Sequence, residues 1–81
     1  MGYHDDIRKK IMSEGMSKTP AYAKQKAEEY QKSAAINYLL YKRASSKKEA
    51  QSRYTDSQNA YAKAAAWKEV LALLLHKLSN R

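Results

Sequence analysis

Two histidines, seven tyrosines and a cluster of cations are the residues here whose types could do chemistry. His4 stands beside Asp5 and Asp6, all three being side chains that bind metals. Adjacent positions on a helix point about 100° apart, however, and cannot close on one ion. His76 falls on the polar face of a helix, and both imidazoles are expected to be solvated. A nucleophilic tyrosine needs an activating base and flanking arginines. Tyr30 and Tyr41 instead recur at the spacing of a helical seam, where a ring packs and its hydroxyl finds a partner. No Gly-rich phosphate loop, Ser/His/Asp set or pair of carboxylates in an apolar setting is present. The sequence therefore predicts a protein that is not an enzyme, with no cofactor, no metal and no small-molecule substrate.

The cations are more suggestive. Lys42, Arg43, Lys47, Lys48 and Arg53 crowd into KRASSKKEAQSR, with only Glu49 to offset them. At the tip of a helical hairpin they could meet phosphates or an acidic partner, with Tyr41 and Tyr54 near enough to stack on bases. A solvated, lysine-rich turn is the plainer account. No helix-turn-helix spacing, RNA-binding aromatic motif or zinc module accompanies them. Ser45, following Lys42-Arg43-Ala44, also has the context of a basic-directed kinase site. Across the chain sixteen Lys and Arg face eight Asp and Glu, a net charge of +8 that favours acidic partners.

These residues must be positioned by helices. Cysteine is absent, glycine occurs only at Gly2 and Gly15, and proline only at Pro20. A fold of many sharp turns needs more of both, so the 81 residues read as one all-α domain. A first helix is predicted over about 4–14. Asp5 and Asp6 lie in its first turn, where the helix dipole favours them, and Gly15 follows as a left-handed C-terminal residue. Thr19 and Pro20 form an N-cap and first position, opening a second helix over about 20–48. The next break is softer. Ser45-Ser46 is one candidate; Thr55-Asp56-Ser57-Gln58, which reads as a capping box, is the other and is preferred, starting a third helix over about 56–78. One unbroken helix from Pro20 to Leu78 is the alternative.

Both long segments carry coiled-coil-like seams. Ala23, Ala27, Tyr30, Ala34, Asn37, Tyr41 and Ala44 step by four and three, as do Ala60, Ala64, Trp67, Leu71, Leu74 and Leu78. Small alanines at repeated positions let two backbones approach closely. The expected architecture is a short N-terminal helix plus a long antiparallel two-helix hairpin. A turn near residue 50 would set Leu71, Leu74 and Leu78 opposite Tyr30, Ala27 and Ala23. Ile7, Ile11 and Met12 would close that end, leaving a thinner, polar tip.

Some apolar residues fit no seam. Ile36, Leu39 and Leu40 lie on the back of the second helix among Glu29, Lys32 and Arg43, and Val70, Leu73 and Leu75 lie at the edge of the third. Either the first helix folds over them or they form a contact surface. The reading that follows is a non-catalytic protein–protein interaction module, a homodimer or part of a larger protein complex. The second choice is a small basic nucleic-acid binder, or an inhibitor or adaptor on a nucleic-acid-handling machine. The longest apolar run, Val70 to Leu75, is far short of the roughly 20 residues that cross a bilayer. MGYHDDIRKK lacks the apolar stretch of a secretory leader. No membrane association and a cytoplasmic location are expected.

Overall fold

In a computed structural model, which describes residues 3–79, the chain forms three helices. They are α1 (Tyr3–Gly15), α2 (Pro20–Lys42) and α3 (Lys47–Ser79), with no strand among the described residues. α2 and α3 pack closely as an antiparallel hairpin and α1 lies against α3. The molecule measures 53 × 25 × 13 Å. It is about one helix thick along most of its length, as a two-helix layer must be.

The α1–α2 boundary is where Thr19 and Pro20 predict it. The Thr19 hydroxyl accepts a hydrogen bond from the Tyr22 amide at 3.1 Å, and Pro20 takes the first helical position. Gly15 has a different role from the expected left-handed cap, for its φ is not positive. A Cβ there would stand 2.7 and 2.8 Å from the two Val70 methyl groups and 3.1 Å from the Trp67 ring. The glycine is needed for the close crossing of α1 over α3.

The hairpin turn also differs from expectation. α2 ends at Lys42 and α3 begins at Lys47 rather than at 56. Ser46 is the cap: its hydroxyl accepts from the Glu49 amide at 3.1 Å, while Glu49 Oε2 accepts from the Ser45 amide and hydroxyl, each at 3.2 Å. This is a capping box in which the glutamate reaches one residue further back than usual. It prevails over Thr55–Gln58 because an early turn keeps both helices paired along their whole seam. Ser57, provisionally part of a cap, instead lies wholly buried in the seam, its hydroxyl donating to the Ala34 carbonyl at 2.9 Å.

Apart from Leu78, the residues of the two seams face the helix pair as read. Ala23, Ala27 and Ala34 are buried against Ala60, Ala64 and Trp67, with Tyr30, Asn37 and Tyr41 half-buried between them. The earlier turn shifts their register by about ten residues, nearly three helical turns. Ala34 now meets Ser57 and Tyr22 meets Trp67 edge-on, ring centroids 5.5 Å apart. Leu78 consequently runs past the start of α2 and is exposed rather than seamed. The main core gathers at the base: Ile11, Ala23, Ala27, Ala66, Trp67, Val70 and Leu74, flanked by Ile7, Met12 and Leu71. Arg8 of α1 clamps Glu69 of α3 through two hydrogen bonds, Nε to Oε2 at 2.9 Å and Nη2 to Oε1 at 2.6 Å. That clamp raises the Arg8 pKa and holds the Glu69 carboxyl below its ordinary range, the hydrogen bond being the largest cause for each.

Candidate interaction surfaces

The position of α1 decides which apolar residues stay uncovered. Its Ile7 and Ile11 meet α2 only near Tyr22 and Tyr30, across a groove of about 450 Å³ floored by Trp67. That is the lower half of α2. Ile36, Leu39 and Leu40 belong to the upper half and are 57%, 55% and 38% exposed. Helical phase explains why, among the described residues, no other helix covers them. With the Ala23–Ala34–Tyr41 seam turned toward α3, Ile36 and Leu39 come out about 140–160° away on the outer side at 100° per residue. The alternative in which the first helix folds over this patch is thereby overturned.

Val70 does not belong to any open surface, contrary to expectation. It is fully buried, its methyl groups filling the space over Gly15. The register shift moved it: with the turn at 43–46, Val70 lies beneath the start of α2 and the end of α1. Leu73 and Leu75 are exposed, at 40% and 51%. The hairpin does not bring them to the α2 patch. Tyr54 is the α3 neighbour of Tyr41, so Leu73 lies nearly 20 residues, about 30 Å, further down α3.

The turn gathers four of the five predicted cations. Lys42, Arg43, Lys47 and Lys48 are all exposed around residues 43–46. Arg53 is half-buried more than a turn into α3 and stands apart from them. The Lys42 ammonium lies over the Tyr38 ring, 5.2 Å from its centroid. Tyr38, Tyr41 and Tyr54 form a stepped aromatic column with centroids 5.8 and 5.2 Å apart. This column, in which Tyr38 and Tyr54 are partly exposed, is the upper half's substitute for a core. Ser45 is exposed, with its hydroxyl bonded to Glu49.

Sequence reasoning missed the groove between α1 and α2. Lys26 and Lys63 extend over the Tyr22 and Tyr30 rings at its edge, 5.5 and 5.4 Å from the centroids. Lys26 also pairs with Glu29 at 3.5 Å, which raises its pKa. The four-residue spacing of Tyr22, Lys26 and Tyr30 marks one flank of α2. Only the placement of α1 makes that flank a groove wall.

Among the described residues no three His, Cys, Asp or Glu side chains come together to hold a metal. The side chain of His4 lies outside the described residues, and His76 is exposed near the end of α3. No helix among the described residues is long and apolar enough to cross a membrane. Comparison with family models, curated proteins and solved structures finds no match for the chain.

Proposed function

We propose that this chain is a non-catalytic helical interaction module that docks on protein through the outer face of α2. The observation that carries the reading is the exposure of Ile36, Leu39 and Leu40 on successive turns beyond the reach of α1. Burying one such side chain is worth roughly 1.5–3 kcal/mol, so three together supply useful docking energy even after association costs. The surrounding Lys32, Lys42 and Arg43 add a polar rim, the usual anatomy of a protein interface.

The test is a photo-crosslinking residue placed at Leu39 in the cells that make the chain. Tyr61, exposed on α3, serves as the control position. Discrete adducts of defined mass at position 39 and none at position 61 are expected. A position 39 that yields no adduct overturns the reading.

A second reading rests on the turn, where Lys42, Arg43, Lys47 and Lys48 are all exposed beside two partly exposed tyrosine rings. Cations track phosphates and rings stack on bases in sequence-tolerant nucleic-acid binding. Filter binding to single-stranded and duplex nucleic acid at low salt tests it. Replacing Lys47 and Lys48 by Glu should weaken retention uniformly and flatten its salt slope; a wild type with no retention ends this reading.

A further inference from the structure

We propose that α1 is a releasable strap: it leaves the α2–α3 hairpin and melts while the hairpin itself stays folded. The hairpin carries its own means of support. Thr19 caps α2, and Ser46 with Glu49 caps α3. The seam of buried small residues runs from Ala23 to Ala34 on one helix and from Ser57 to Trp67 on the other. The Ser57–Ala34 hydrogen bond ties it, and the edge-on contact of Tyr22 with Trp67 closes its lower end. None of these contacts uses a residue of α1.

α1 is attached by much less. Among the described residues, Ile11 is the one member of the main core that comes from it, and Ile7 and Met12 are only partly buried. Toward α2 it leaves the groove of about 450 Å³, so its grip is on α3. There Arg8 holds Glu69, but the two side chains are 52% and 40% exposed, and ion pairs open to water contribute little. Elements with few buried apolar contacts open locally, at a smaller free energy than the whole molecule. The link to α2 does not oppose this. Met16, Ser17 and Lys18 are exposed, and their amides bond only to the Met12, Glu14 and Gly15 carbonyls. The link can therefore unwind with α1 and leave the Thr19 cap in place.

Once detached, α1 does not persist as a helix. It is 13 residues long, a length at which isolated helices are marginal in water, and Gly15 weakens its last turn. Release and melting are therefore one step. Val70 lies directly under Gly15, beside the Trp67 ring. Ala66 stands one turn before Val70 on the same face, off the seam that meets α2, and both are buried. Leu73, one turn further on, is already 40% exposed. Release joins the three into one apolar strip along α3.

Native-state amide exchange of the full chain, read residue by residue by NMR and corrected for intrinsic rates, tests the proposal. Ile11, Met12, Ser13 and Glu14 are expected to share one exchange free energy. They should exchange at least tenfold faster than Ala27 and Ala34 of α2 and Ala60 and Ala64 of α3. Ser57→Ala supplies the second readout. It weakens a contact that is intact whether α1 is docked or released. The hairpin amides should then exchange about 5–30-fold faster, while those of α1 keep their wild-type rates. α1 amides as slow as the hairpin's overturn the proposal. So does a Ser57→Ala variant in which both sets accelerate together, because α1 then opens only with the whole molecule. A gradient of rates along α1 with no shared value overturns it as well, being the fraying of a helix that stays docked.

Discussion

Replacing Gly15 by Ala sets two effects of opposite sign against each other, and the crossing of α1 over α3 decides between them. In an open helix the change stabilises, by up to about 1 kcal/mol in the interior and less at a last residue such as this one. Here the added Cβ would stand 2.7 and 2.8 Å from the Val70 methyl groups and 3.1 Å from the Trp67 ring. The first two are closer than non-bonded carbons pack by nearly 1 Å. Val70 cannot give way: it is fully buried and, being β-branched in a helix, has one strongly preferred rotamer. Trp67 closes the other side and is itself buried. α1 must therefore lift, loosening Ile11 against the core and straining the Arg8–Glu69 clamp. Overpacking of this kind costs typically 1–3 kcal/mol, so a net loss of about 1–2 kcal/mol is expected. For a chain of this size that lowers the melting midpoint by roughly 4–15 °C. Urea unfolding followed at 222 nm and by Trp67 emission gives the number. A cycle with Val70→Ala gives the cause: once the methyl groups are gone, Gly15→Ala should become neutral or stabilising. A Gly15→Ala protein as stable as the wild type refutes the close crossing, and a cycle with no coupling refutes the assigned partner.

The seam and the clamp make further predictions. Ser57→Ala leaves the Ala34 carbonyl buried without its side-chain donor. It should cost about 1–2 kcal/mol by denaturant unfolding, whereas Ser52→Ala on the exposed side of α3 should be neutral. The Glu69 carboxyl has a folded pKa below its unfolded one. The clamp's contribution is thus fully present above the ordinary carboxylate range and is lost as pH falls through the lowered value. Comparing wild type with Glu69→Gln across pH 2–7 should show the stability difference vanish at the acid end; a difference independent of pH would refute the assignment.

How much of this was legible depends on whether a feature is local to one helix or arises between helices. The Thr19–Pro20 start depends on four consecutive residues, and the structure has it where those residues indicate. The exposure of Ile36, Leu39 and Leu40 was readable for the same reason, because angular position along a helix follows from residue number alone. Register was not. Ser46–Glu49 and Thr55–Gln58 are similar capping sequences, and choosing between them needs the pairing of Ala34 with Ser57 some 23 residues away. That one choice carried Val70 from an expected edge into the core and Leu78 from the expected core to the surface. Gly15 was misread for a related reason. A glycine after a helix signals either a left-handed turn or a close approach, and only the position of α3 tells which.

The distribution of side-chain size along α2 bears on why the upper patch exists at all. The seam facing α3 is built from Ala23, Ala27 and Ala34, while three large aliphatics sit on the opposite side in water. For folding alone the reverse arrangement would serve better. Half-exposed Ile and Leu return only part of the roughly 1.5–3 kcal/mol that full burial of each would contribute, and they add an aggregation hazard. The stability of the upper half is instead left to alanine contacts, the Ser57–Ala34 hydrogen bond and the Tyr38–Tyr41–Tyr54 column. Solubility cannot explain aliphatics on an outer face, and helix propensity cannot explain Ile36, where Ala, Lys or Gln would do better. The docking proposed for this face would give them a purpose. Natural chains depart from locally optimal choices chiefly at functional or strained sites, and none of the described residues has a positive φ to mark a strained one. The misplaced aliphatics of α2 are in this sense the chain's strongest departure from a sequence chosen only to fold.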